Sequence, residues 1–201
     1  VIGMTRKLVF LILPLLLCLT GCTTREEVQK TAIQQFDICQ SAVEEALRPY
    51  LFVLQDDTNP QDNYEGSDYY VRYLSVPIDS NTEISIILEN PLDRLFDNQS
   101  RVSVSLSHSY SGQKDILPDS QMGLFSSVVQ ATGNTAITEK LCRSVLEDAQ
   151  TKENSSDGSY REGEYTSKKD GIYLYYYDDG ELSWSLTYEG TLPPLEDSPA
   201  E

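Results

Sequence analysis

Hydrophobic and polar positions change period several times along this chain, and each change marks an expected element. Between Thr24 and Pro49, the residues Val28, Ala32, Phe36, Cys39, Val43, Ala46 and Leu47 recur at three- and four-residue steps, which puts them on one face of a helix. Gln29, Lys30, Gln34, Gln35, Gln40, Glu44 and Glu45 lie mostly elsewhere on the wheel, and Pro49 ends the helix near Leu47 or Arg48. Tyr50 to Leu54 reads as a first strand, and the polar stretch Gln55 to Ser67 as a loop. Three strands are expected around Tyr69–Val76, Glu83–Glu89 and Val102–Tyr110. The last alternates cleanly, with Val102, Val104, Leu106, His108 and Tyr110 on one face and four serines on the other, as a half-buried antiparallel strand does. Between the second and third of these strands, Pro91 to Phe96 is expected to form a helical turn.

Helical spacing then returns. Asp119 or Ser120 is placed to cap a helix carrying Met122, Phe125, Val128 and Val129, and Gly133-Asn134 reads as its left-handed stop. Thr135 is expected to cap the next helix, with Ile137, Leu141, Cys142, Val145, Leu146 and Ala149 on its apolar face. After the polar stretch Lys152 to Ser159 comes a hairpin, Ile172 to Tyr177 and Leu182 to Tyr188, around Asp178-Asp179-Gly180. A two-residue turn would pair Tyr177 with Leu182 and put the tyrosines on the face of Trp184. A three-residue turn with Gly180 left-handed pairs Tyr177 with Glu181 instead. It gathers Ile172, Leu174, Tyr176, Leu182, Trp184 and Leu186 inward, leaving Tyr173, Tyr175 and Tyr177 outward with Ser183, Ser185 and Thr187. The second register separates apolar from polar and is the one expected. Helix, strands, two helices and further strands with local connections make an α+β fold, an antiparallel sheet with an N-terminal helix and a helix pair packed on one side.

The first residues follow a different pattern. After the expected start at Met4, Arg6 and Lys7 precede an apolar run from Leu8 to Leu19, then Thr20-Gly21-Cys22. A basic end, a short apolar core and small residues at a cut site make a secretory signal. The run is too short to span a bilayer, which takes about 20 residues. Leu19-Thr20-Gly21-Cys22 resembles the lipobox of bacterial lipoproteins. The resemblance implies that Cys22 is acylated, becomes the first mature residue and anchors the chain to the extracytoplasmic side of a cell membrane. At least two acyl chains hold stably where one binds marginally. The expected division is a signal peptide over 1–21, a tether over 22–27, one domain over 28–190 and a disordered tail over 191–201. Two helices followed by strands over Asp119–Gly190 also resemble the helix-helix-sheet unit of small extracytoplasmic lipoproteins.

Charge narrows the partners. Residues 1–21 hold two basic residues and no acid, so the remaining chain keeps 13 Lys and Arg against 32 Asp and Glu, a formal charge of −19. That surface repels nucleic acid and anionic headgroups, leaving a protein or glycan of the envelope or cell surface as the expected partner besides the membrane. With Cys18 removed and Cys22 acylated, Cys39 and Cys142 form an even pair in an oxidising compartment, so a disulfide between the first and last helices is expected.

Little here points to catalysis. The single histidine, His108, sits on a strand face that should be buried, as a core-edge residue bonded to a neighbour. No nucleophile elbow or phosphate loop is present, and no cofactor is implied. Glu153, Asp157 and Glu164 fall at positions 1, 5 and 12 of a calcium-loop template, but Glu and Ser stand where Asp is usual, and strand-like residues replace the exiting helix. The tyrosines are a stronger signal. There are 13 Tyr against 5 Phe, and Tyr173, Tyr175 and Tyr177 line the polar face of the hairpin, where aromatic rings stack on sugars or anchor interfaces. The expectation is therefore a non-enzymatic envelope-binding module. Two alternatives stand beside it: a carbohydrate- or peptidoglycan-binding module using the tyrosine row, and an envelope hydrolase using paired carboxylates.

Overall fold

The computed structural model describes residues 24–64, 66–92, 99–110, 119–151, 161–167, 172–179 and 182–195. Helix α1, Arg25–Leu47, starts at a complete capping box: Thr24 Oγ1 accepts from the Glu27 amide, and the Glu27 carboxylate accepts from the Thr24 amide. This satisfies two otherwise orphaned donors and fixes where the helix begins. Val28, Ala32, Phe36, Cys39, Val43 and Leu47 are buried, as their spacing demands. The helix therefore starts inside the segment expected to be a tether.

Tyr50 to Leu54 is not a strand. Arg48–Tyr50 forms a 3-10 turn, and Leu51 takes a left-handed φ of 61°, which breaks the extended run; Leu51 is 90% and Val53 72% exposed. Strand β1 is only Gln55–Asp56, and a second 3-10 turn spans Pro60–Asn63. Strands β2 (Tyr69–Pro77), β3 (Thr82–Pro91) and β4 (Arg101–Ser109) form a meander. Pro91 belongs to β3, and residues 93–98 lie outside the described set. Helix α2 is Asp119–Ala131, with Gly133 at φ 105° ending it as expected. Helix α3 is Glu139–Thr151, and its cap is Thr138, whose hydroxyl accepts from the Leu141 amide, rather than Thr135. Strands β5 (Arg161–Ser167), β6 (Ile172–Asp178) and β7 (Ser183–Thr191) complete the chain.

The seven strands form one antiparallel sheet in the order β1-β2-β3-β4-β7-β6-β5, and the fold is α+β. Helix α1 lies over β2 and β3, α2 over β4, and α3 over β5 and β6. A helix followed by a three-stranded meander thus occurs twice, α1-β2-β3-β4 and α3-β5-β6-β7. The two halves join through β4 and β7, so their connectivity follows an approximate two-fold axis near the Ser105–Thr187 pair, whose hydroxyls lie 2.9 Å apart. The core fills the space between helices and sheet: Phe36, Phe125, Ile84, Ile86, Leu106, Trp184, Leu186 and Tyr188 are among its fully buried members. Arg72 places a cation on this inner face. Its guanidinium sits 5.9 Å from the Phe36 ring centre, 2.9 Å from Asp37 and 2.9 Å from Gln40 Oε1, so its charge is paired where it is desolvated.

The hairpin keeps the expected faces but not the expected turn. Asp178 pairs with Trp184 and Tyr177 with Ser185, and Asp179 N–H donates to Ser183 C=O at 3.1 Å. The strands therefore stay paired through Asp179 and Ser183, so the chain reverses further along than expected. Asp178 is buried in the strand, accepting from Tyr110 Oη at 2.9 Å. The Asp179 carboxylate closes the turn by accepting from the Leu182 and Ser183 amides. Tyr177 thus pairs four residues beyond Glu181, an even shift, so every side chain keeps its face except Leu182. Expected inward, Leu182 is a turn residue 72% exposed. Gly180 lies outside the described residues. Beyond Gly190, β7 runs to Thr191 and Leu192 is buried, its amide bonded to Ser100 C=O.

Candidate functional site

All three helices cover one face of the sheet. The other face carries none of them, and its side chains read as rows across the strands. One row runs Tyr73, Ile87, Ser103, Glu189, Tyr173, Thr166; the next runs Ser75, Ser85, Ser105, Thr187, Tyr175, Glu164; a third holds Glu83, Ser107, Ser185, Tyr177 and Glu162. Six strands at about 4.8 Å spacing make each full row about 24 Å long. Ser105 and Thr187 stand at the middle of the second row and Ser107 and Ser185 in the third, while Ser103 faces Glu189 in the first. Tyr73 and Ile87, directly paired and each 37% exposed, stand at one end, and the expected tyrosines stand at the other.

The tyrosine end is the better-formed site. Tyr173, Tyr175 and Tyr177 alternate outward along β6 because Ile172, Leu174 and Tyr176 alternate inward. The rings of Tyr173 and Tyr175 sit 5.0 Å apart at 31°, and Tyr177 is 39% exposed. Glu162 and Glu164 of β5 stand opposite Tyr177 and Tyr175. Together with Gly163 and Tyr176 these residues line a shallow cavity of about 430 Å³. Tyr173 Oη donates to Glu164 Oε2 at 3.3 Å. Its phenol is held above the ordinary tyrosine range, first by desolvation under its neighbours and then by the Glu164 carboxylate. The ledge therefore presents aromatic rings, one hydroxyl held by Glu164 and two carboxylates on one strand pair.

The other expected site residues lie elsewhere. Cys39 and Cys142 are both buried, but neither is bonded to the other. The reason is the helix order: α2 packs between α1 and α3, so the two cysteines sit on helices either side of it. Burial pushes both thiols up to about 12. Cys22, Glu153 and Asp157 lie outside the described residues. Glu164, placed at the end of the calcium template, is a mid-strand residue beside Tyr175 rather than the head of an exiting helix. Among the described residues no group of three His, Cys, Asp or Glu side chains is arranged to hold a metal. His108 is a half-buried core-edge residue: its Nδ1 lies 2.8 Å from Thr82 Oγ1 and its ring stacks on Trp184 at 5.5 Å.

The sequence reading missed Glu162 and the Tyr73–Ile87 pair. The alternation of Arg161-Glu162-Gly163-Glu164-Tyr165-Thr166 holds the signal for the former. The latter depends on strand order, which no local pattern carries. Comparisons add no analogy: no family model, curated protein or solved structure matches this chain. Among the described residues no helix is long and apolar enough to cross a membrane.

Proposed function

We propose that this chain is a lipoprotein anchored through Cys22 to the extracytoplasmic side of a bacterial membrane, and that its domain is a non-enzymatic module binding an envelope or surface component at the tyrosine ledge. The anchor is supported by Leu19-Thr20-Gly21-Cys22 at the end of the apolar run. The observation that carries the binding role is the sheet face that none of the described helices covers, where Tyr173, Tyr175 and Tyr177 stand beside Glu162 and Glu164. A row of two half-buried tyrosines and one exposed one on a single strand gives contact area at little entropic cost, because Tyr has few rotamers to lose. The carboxylates of the ledge and the formal charge of −19 favour a cationic or hydroxyl-rich partner over an anionic one.

A glycan is the second reading. The tilted Tyr173–Tyr175 pair with Glu164 fixed between ring and strand supports it, because a sugar ring offers one face to an aromatic and its hydroxyls to a carboxylate. The test is capture from the native envelope by the lipidated protein, compared with a Tyr173/Tyr175/Tyr177 triple alanine variant. A component retained by the wild type and lost by the folded variant supports the ledge; equal retention removes it from binding. Co-sedimentation with purified cell-wall glycan, lost in the same variant, separates the glycan reading from a protein partner.

A further inference from the structure

The start of α1 sets how the domain stands on its membrane. Thr24 is the helix cap, so a single residue, Thr23, separates it from Cys22. Consecutive Cα atoms are 3.8 Å apart, so Cys22 lies within about 7–8 Å of the cap. No long linker lifts the domain away. Whatever surrounds the first turn of α1 is therefore brought against the bilayer that holds the acyl chains.

That surroundings is a shallow cavity of about 360 Å³, lined among others by Arg25, Glu26, Asn63, Tyr64, Tyr69 and Tyr70. Tyr64 is 65% and Tyr69 39% exposed. The patch is rigid: Arg25 donates to the Ser67 carbonyl, tying the loop to the helix, and the Asn63 side chain bonds both the amide and the carbonyl of Val71 at 2.8 Å. Tyrosine is the residue type that prefers the headgroup layer, its ring toward the chains and its hydroxyl toward water. We infer, resting on the lipid-anchor reading above, that Tyr64, Tyr69 and Arg25 sit among the headgroups of the bilayer that holds Cys22, making a second membrane contact that fixes the domain's orientation. Glu26 and Asp62 flank the patch, so the fit is to zwitterionic rather than anionic headgroups. The apolar turn of Leu51 and Val53 lies beyond the other end of α1. A helix of 23 residues is about 34 Å long at 1.5 Å per residue, so in the proposed orientation, with α1 rising from the bilayer, that turn clears a headgroup layer some 5–8 Å deep. The exposed Leu51 is thus an internal control.

The test places single tryptophans in the lipidated full protein, reconstituted in phosphatidylcholine nanodiscs containing lipid with a headgroup nitroxide. Tyr64→Trp and Tyr69→Trp should each lose at least half of the emission they add to that of wild type, and Leu51→Trp should lose none. Replacing part of the phosphatidylcholine by phosphatidylglycerol should weaken the quenching. Unquenched Tyr64→Trp and Tyr69→Trp, or Leu51→Trp quenched as strongly, overturns the orientation; quenching that strengthens with anionic lipid overturns the headgroup assignment. Mass spectrometry of Cys22 reads the anchor separately. Should Cys22 carry no acyl chain, the anchor reading fails. Coupling Cys22 to a maleimide lipid in a chain lacking residues 1–21, and so lacking Cys18, then decides the geometry alone by the same quenching, since the buried Cys39 and Cys142 do not compete.

Discussion

Gly163 is the position where this packing is most exposed to a one-atom change. It lies on the inner face of β5, paired with Tyr176, directly beneath α3. A Cβ added there would sit 2.1 Å from the Val145 carbonyl oxygen, 3.0 Å from the Ala149 nitrogen and 3.1 Å from the Ala149 Cβ. Two of the three obstacles are helix backbone, so no rotamer change relieves them. Strand and helix must separate by about 1 Å, along a helix that buries Cys142, Val145, Leu146 and Ala149. Overpacking costs about 1–3 kcal/mol where neighbours can adjust. Against backbone, Gly163→Ala should fall at the top of that range, about 3 kcal/mol. Gly123→Ala is the control of opposite sign: it is helical, its added Cβ meets nothing closer than Glu139 Oε2 at 3.5 Å, and it should gain about 0.5–1 kcal/mol. Urea unfolding of the two variants and the parent, each lacking residues 1–21 and carrying Cys22→Ser, measures both. A Gly163→Ala variant as stable as its parent would mean that β5 does not lie under α3 in this register.

Trp184→Ala should cost about 3–5 kcal/mol, because it removes a fully buried ring stacked on His108 and packed near Tyr176. Tyr175→Ala, on the open face, should cost far less while weakening partner capture; the reverse ordering in urea unfolding would show the faces exchanged. Cys22→Ala should leave the precursor uncut and lose detergent-phase partitioning; continued cleavage beside residue 22 with unchanged partitioning would sink the anchor. Alkali should destabilise the fold. An unfolded thiol titrates near 9.0 and a buried one near 12, so above 9 the folded state holds more protons and stability is lost as pH rises. Each thiol contributes roughly 1.4 kcal/mol per pH unit in that window, and burial of Tyr110 and Tyr188 acts in the same direction. The Cys39→Ala/Cys142→Ala variant should show a shallower fall of urea midpoint between pH 9 and 11; an unchanged slope would argue against protonated buried thiols.

Elements were legible where one periodicity runs unopposed. The α1 face, the β4 alternation and the Gly133 stop follow from side-chain spacing and from a backbone angle that glycine takes without strain. The failures are places where a distant partner decides. Tyr50 to Leu54 has strand composition, but Leu51 turns left-handed and, among the described residues, no strand pairs with it. The hairpin turn moved because Tyr110, just past the end of β4, bonds Asp178 and lets a polar residue continue β6. Cys39 and Cys142 have the spacing of inward-facing helical residues, yet α2 stands between their helices. Nothing within either helix could have announced that.

The site divides the same way. Tyr173, Tyr175 and Tyr177 could be read as an outward row because alternation along one strand is local, and an even slip of register leaves it intact. What surrounds the row could not. Its carboxylate wall comes from β5, and its extension toward Tyr73 and Ile87 exists only because β7 docks beside β4. The continuous face is thus a product of how the two helix-meander halves join. The Ser105–Thr187 pair at that join is where the halves share a surface that neither has alone.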